Sequence, residues 1–178
     1  SQGYLEEALR LARAIGHPGL QAKLLNHLAV LRIIFGEYPY AQELLGQAVA
    51  TAQAAGDRNT ERAGLNNLAV IRFRQGAYRE ARVAFEKVLQ IARSMGDRQA
   101  EALALTNIGN VEALRGAYAT AQPPLAEALS LSQAVGAQVI EVDVLETLGT
   151  VHFLQAAYAE ARTSYEKALA VARAIKVP

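Results

Sequence analysis

Three histidines, His17, His27 and His152, are the side chains best suited to move a proton or hold a metal near neutral pH. No carboxylate pair stands near any of them at a metal-ligand interval, and His27 and His152 lie far apart along the chain. Serines and threonines occur singly, outside the strand-turn-helix setting that exposes a nucleophile, and the glycines form no phosphate-cradling loop. The expectation is therefore a chain that is not an enzyme, has no catalytic or metal-binding residues, and needs no cofactor. Arg72, Arg74, Arg79 and Arg82 crowd one short stretch and could meet an acidic partner. With Glu80 and Glu86 among them, a solvated turn is the plainer reading.

The bulk properties narrow the field further. Lys and Arg number 18 against 17 Asp and Glu, a net charge of +1, so no overall field draws the chain to nucleic acid or to an anionic membrane. No apolar run of the length a membrane span needs is present, and no charged start followed by an apolar stretch marks a signal peptide. Cysteine is absent, which excludes disulfides and thiolate zinc sites and makes the cytoplasm the expected location. Alanine is abundant and arginine outnumbers lysine, a bias associated with GC-rich bacterial genomes. At 178 residues and 52% hydrophobic content the chain can bury a core without covalent staples.

The organising signal is a repeat of 40 residues. Tyr38, Tyr78, Tyr118 and Tyr158 share this spacing, each two residues after Gly36, Gly76, Gly116 or Ala156 and three before an alanine. Leu28, Leu68, Ile108 and Leu148 follow the same rule, as do the small residues Ala29, Ala69, Gly109 and Gly149. A second glycine column, Gly16, Gly56, Gly96 and Gly136, falls midway. Between these marks the apolar residues recur at helical intervals, as in Leu65, Leu68, Ala69 and Phe73. Gly96 suits the left-handed residue after a helix and Asp97 the cap of the next, a device repeated at Gly56 and Asp57. Pro18 suits a first helical position. The pattern predicts an all-α chain of nine antiparallel helices at 3–15, 18–35, 38–55, 58–75, 78–95, 98–115, 118–135, 138–155 and 158–175. Residues 1–178 are expected to form a single domain, with a half repeat at 1–16 and full repeats at 17–56, 57–96, 97–136 and 137–178. Because the pattern starts mid-repeat and ends on a second helix, both ends are expected to be truncated, with self-association through the uncapped terminal helices as a further expectation.

The quoted columns resemble the tetratricopeptide repeat: Leu68, Ala69, Gly76, Tyr78, Ala81, Phe85 and Val88, and again Leu148, Gly149, Ala156, Tyr158, Ala161, Tyr165 and Ala168. The period exceeds the ~34 residues usual for that family. It is similar to the longer variant of cell-polarity adaptors and of sensor regions in bacterial transcriptional activators. The resemblance implies a right-handed α-α superhelix whose first helices line a concave groove for a protein or peptide ligand. Carried over residue by residue, the groove columns are Asn26, Asn66, Thr106 and Glu146; Val30, Val70, Asn110 and Thr150; and Ile33, Phe73 and Phe153, with Ala113 in the same column. The positions at which family members clamp a terminal carboxylate hold Asn26, Val30 and Asn66, which offer no cation, so such a clamp is not expected. The implied function is a peptide-binding scaffold within a larger regulatory or signalling protein. The alternative is a small-ligand or signal-peptide sensor region of a bacterial transcriptional regulator.

Some residues carry two readings. The four tyrosines read as core packing at the helix junctions rather than as a binding ladder. Asn67, Asn107, His27 and Thr147 form one column, read as hydrogen bonds between neighbouring first helices, with ligand contact as the alternative. Val70, Phe73 and Phe153 either face the groove or pack between helices. Pro123 and Pro124 fall near the second turn of a predicted helix, where proline forfeits a hydrogen bond and strikes a carbonyl. The helix is therefore expected to begin late, near residue 122, or to kink there.

Overall fold

The computed structural model describes residues 2–175. Its nine described helices are α1 (Gln2–Ala14), α2 (Pro18–Ile34), α3 (Tyr38–Ala54), α4 (Arg58–Arg74), α5 (Tyr78–Met95), α6 (Arg98–Leu114), α7 (Tyr118–Ala134), α8 (Gln138–Leu154) and α9 (Tyr158–Ala174). Each agrees with the sequence expectation to within a residue at either end. Internal contacts group the chain into two compact units, residues up to 87 and residues from 88 on, so the division falls inside α5. In the first unit α2 packs on both α1 and α3, and α3 packs on α4. Leu9, Leu24, Leu25, Leu28, Leu44 and Leu45 form its core with Ile71. In the second unit α6 packs on α7, α7 on α8 and α8 on α9.

Every turn between helices is built alike. In the turn from α4 to α5 the Gly76 N–H donates to Phe73 O and the Ala77 N–H to Arg72 O, which satisfies two carbonyls left over at the helix end. The same pair of bonds recurs at Gly16, Gly36, Gly56, Gly96, Gly116, Gly136 and Ala156. Geometry requires a left-handed residue there, and the seven glycines have φ between 65° and 76°. Ala156 takes the position with φ 60° and bears the Cβ penalty that glycine avoids. Asp57 and Asp97 then cap the following helices, accepting from Thr60 N at 3.1 Å and Ala100 N at 2.9 Å. Thr60 holds the Asp57 carboxyl below the usual aspartate range through its backbone and hydroxyl hydrogen bonds. His17 serves as the cap of α2, its Nδ1 accepting from Leu20 N at 3.2 Å, and Pro18 stands at the first helical position.

A polar clasp repeats at the junction between one pair and the next. Gln53 donates to Glu61 at 2.9 Å, Arg93 to Glu101 at 2.7 Å and Gln133 to Glu141 at 2.8 Å, always across eight residues. Glu101 is 4% exposed, and Arg93 and Arg98 both reach it.

Within each pair the helices approach closely through the small-residue column. A Cβ added to Gly109 would lie 2.4 Å from Leu125 Cγ, and one on Gly149 would lie 2.7 Å from the Tyr165 ring. Ala29 and Ala69, at the same place in earlier pairs, are fully buried.

One expectation holds only in part and another needs correction. Tyr38, Tyr78 and Tyr118 are half-buried, with Tyr38 packed against the core of the first unit, whereas Tyr158 is 63% exposed. Two of the rings also lean on the end of the preceding helix, Tyr78 edge-on to Phe73 at 5.8 Å and Tyr158 edge-on to Phe153 at 5.6 Å. The late start expected of α7 is not seen: the helix begins at Tyr118 and runs through Pro123 and Pro124 to Ala134. The prolines cannot supply the N–H groups that Ala119 O and Thr120 O would accept, but Ala119 and Thr120 are exposed, so solvent can reach those carbonyls. The first turn is also tightened by a Thr120 N to Ala117 O bond of 3.1 Å, and the Thr120 hydroxyl donates to the same carbonyl at 2.8 Å.

Two glycine-column exchanges should act in opposite directions. Ala156→Gly is expected to raise the unfolding free energy by about 1 kcal/mol by relieving the left-handed alanine. Gly109→Ala should lower it by about 1–3 kcal/mol, since the new methyl overpacks Leu125 by more than the gain in helix propensity. Urea unfolding of both variants checks the pair of signs.

Candidate functional site

The residues expected to form a binding wall divide between the two units. In the first unit α2 and α4 lie side by side and carry Asn26, Val30, Ile33, Asn66, Val70 and Phe73. Asn26 is buried, and its Oδ1 accepts from Asn67 Nδ2 at 3.0 Å, so this amide joins the two first helices instead of facing solvent. Ile33 is buried as well. Val30, Asn66, Val70 and Phe73 are half-buried, and Phe73 turns its ring against Tyr78.

In the second unit α6 and α8 repeat the arrangement. Thr106 is buried, its hydroxyl donating to Ala102 O of its own helix at 2.8 Å. Asn110 is half-buried and accepts from the Thr147 hydroxyl at 2.8 Å. Thr147 shares that one proton with Asp143 O at 2.9 Å. The reading of the Asn67 and Thr147 column as links between neighbouring first helices therefore holds in both units.

Glu146, Thr150 and Phe153 follow one another along one face of α8 and are exposed. Thr150 donates to Glu146 O at 3.0 Å, which leaves its oxygen to accept from the Tyr165 hydroxyl at 3.1 Å. Phe153 is 56% exposed. Open to solvent, this face offers a carboxylate, a hydroxyl and an aromatic ring in a line.

Sequence reasoning missed three groups at or near these walls. Asp143 stands beside Glu146 on α8; its side chain reaches solvent, yet partial desolvation pushes its carboxyl above the usual aspartate range and the Glu146 charge adds to the effect. Tyr165 anchors Thr150 from α9. Glu112, 2% exposed, accepts from Arg115 at 3.0 Å and Thr120 at 3.0 Å and ties α6 to the first turn of α7. An acid three residues before Glu146 is a visible signal for the first; a lone Glu where the other repeats have Arg32, Arg72 and His152 is one for the last.

The histidines have structural surroundings: His17 caps α2, His152 Nδ1 lies 3.4 Å from Ser164 Oγ, and His27 is exposed. Among the described residues no group of three or more His, Asp or Glu side chains is placed to hold a metal ion. No described helix is long and apolar enough to cross a membrane. Of the arginine run, Arg82 pairs with Glu86 at 3.1 Å and Arg74 and Arg79 are exposed, as a solvated turn requires.

Because the native protein holds the Asp143 proton more tightly than the unfolded chain does, the ionised group costs stability at neutral pH. The cost is present above its raised native value and disappears as pH falls below the ordinary aspartate value. Asp143→Asn is expected to raise the thermal midpoint at pH 7 and to lose that advantage in acid. Midpoints of variant and wild type, compared across pH, test it.

The tetratricopeptide repeat family model matches residues 60–134 and 101–174, which together span more than half of the chain. No curated protein sequence matches. Among solved structures, BtubC from P. vanneervenii superposes with a TM-score of 0.83 at 21% identity, over 97% of this chain and 72% of that one. A signal transduction ATPase with numerous domains and a tetratricopeptide repeat sensor, from Pyrococcus horikoshii, gives 0.79 at 21% identity over 96% of this chain and 27% of its own. NprR in complex with its cognate peptide NprX gives 0.76 at 21% identity, over 97% of this chain and 50% of that one. The chain thus spans half or less of the last two proteins. At these identities the likeness shows the fold, an all-α helical-repeat solenoid, and with the family match it makes the chain a member of the tetratricopeptide repeat family.

Proposed function

We propose that the chain is a non-catalytic scaffold that docks protein or peptide segments against the outward faces of its first helices. The observation that carries the reading is the face of α8, where Glu146, Thr150 and Phe153 stand exposed in line. Side chains with purely internal duties would be buried, as Asn26 and Thr106 are. The half-buried Val30, Val70 and Phe73 give the α2 and α4 face a more apolar character. A segment with separate apolar and polar sides suits such faces. The family's repeat is commonly a binding platform, and the absence of cysteine accords with the cytoplasm.

A second reading, a sensor for a signalling peptide, draws on the likeness to NprR, whose structure holds its cognate peptide, and to the ATPase with a repeat sensor. Both readings place a peptide on the same faces and differ in the response that its binding triggers.

Peptides selected from a displayed library against the whole chain should lose affinity about tenfold or more on Val70→Lys or Glu146→Lys. Circular dichroism would confirm that the variants stay folded. Peptides that bind both variants as well as the wild type would overturn the proposal. For a peptide that does bind, saturation at about 100 times its dissociation constant should add about 2.7 kcal/mol to stability, read as a shifted thermal midpoint.

A further inference from the structure

The polar clasp that joins one helix pair to the next is left incomplete at its first occurrence. Near the end of α5, Arg93 meets two carboxylates, Glu101 of α6 at 2.7 Å and Glu127 of α7 at 2.6 Å. Two periods earlier the same three positions hold Arg13, Gln21 and Gln47. The arginine is kept and both acids have become amides. Gln21 donates instead to Ala12 O at 3.1 Å, and Gln47 to the Glu43 carboxylate at 3.4 Å. Among the described residues the Arg13 side chain has neither an ion-pair nor a hydrogen-bond partner. Both absent acids belong to positions on α2 and α3, which follow α1, so the gap does not depend on anything that precedes α1.

Arg13 also lines a cleft of about 380 Å³ between α1 and α3, with the buried Leu9, Leu28 and Leu44 at its base. That volume lies within the range of small-molecule sites. The other charged groups of the cleft are already engaged. Arg10 is held by Glu7 at 2.6 Å, Glu6 pairs with Arg32 at 3.8 Å, and Glu43 receives the Gln47 amide. Glu6 and Glu43 precede Arg13 and Gln47 on their helices by about two turns and about one turn. Negative charge therefore stands toward one part of the cleft and an uncompensated guanidinium toward the other. Such a cleft suits a ligand with a single anionic end and a neutral, partly apolar body. A guanidinium fork matches a carboxylate, as the two acids on Arg93 show within this chain.

We propose that the cleft between α1 and α3 binds a small organic monocarboxylate, whose charged end takes the fork of Arg13 in place of the two missing glutamates and whose body lies over Leu9, Leu28 and Leu44. The site is distinct from the first-helix faces, and its ligand is defined by a side-chain arrangement that the chain completes for itself at Arg93.

Hexanoate serves as the probe and its neutral amide, hexanamide, as the control, each titrated into the full chain and followed by backbone amide chemical shifts. Saturable shifts around α1 and α3 are expected with hexanoate alone, in the millimolar range. Arg13→Gln, at an exposed position, should weaken binding by about tenfold or more. The double variant Gln21→Glu, Gln47→Glu restores the acids found at Arg93. It should abolish hexanoate binding and raise the thermal midpoint, because the chain then fills the fork itself. Val70→Lys and Glu146→Lys should leave the titration unchanged, which separates this site from the first-helix faces. No saturable shift, equal binding of hexanamide, or binding indifferent to Arg13→Gln would overturn the proposal. So would binding that survives in the double variant, or inorganic phosphate that binds where hexanoate does not, since the fork would then select a different anion.

Discussion

The rest of the structure depends on how closely two helices of a pair can lie. At the crossing point one helix must present almost nothing, and Ala29, Ala69, Gly109 and Gly149 do so in successive first helices. The space they leave is filled by a large side chain from the second helix, as Leu125 fills that above Gly109. Tight contact of this kind sets the distance between helix axes and so the spacing at which successive pairs stack. The glycine turns set the direction of return, the polar clasps set how one pair meets the next, and only then do the first-helix faces acquire fixed positions.

Much of this is legible in the residues themselves. A period shared by glycine, tyrosine and alanine columns locates nine described helices to within a residue, because left-handed turns admit few residue types and recur wherever the chain reverses. The prolines of α7 defeat a local rule. Proline beyond the first turn costs a helix one hydrogen bond, but whether that ends the helix depends on whether Ala119 and Thr120 face water, which is a tertiary fact. The tyrosines are legible only in part for a related reason: an aromatic at every junction signals packing, and Tyr38 does pack on a core, but the sequence does not say that Tyr78 and Tyr158 rest against the rim of a helix end.

The wall residues are only partly legible. Helical spacing places Asn26, Val30 and Ile33 on one face of α2, but a face is wide, and its edge meets the neighbouring helix. Asn26 and Thr106 fall at that edge and are buried, whereas Glu146, at the same place in the last pair, is exposed. The two inter-helix bonds also use different columns: Asn67 reaches back to Asn26, whereas Thr147 reaches Asn110. Equivalent positions in a repeat are thus equivalent in backbone and not in the polar contacts they make, which is where the two faces acquire different character.

The alanine at the turn into α9 has a consequence for motion. Repeat arrays draw cooperativity from neighbours, and opening a pair costs the least where its turn is strained and one side has no adjoining layer. The α8–α9 hairpin meets the first condition at Ala156, and Tyr158, Tyr165 and Leu169 of α9 are exposed. Backbone amides of α9 should therefore trade their protons with solvent sooner than those of α6, where Thr106, Ile108 and Val111 are enclosed.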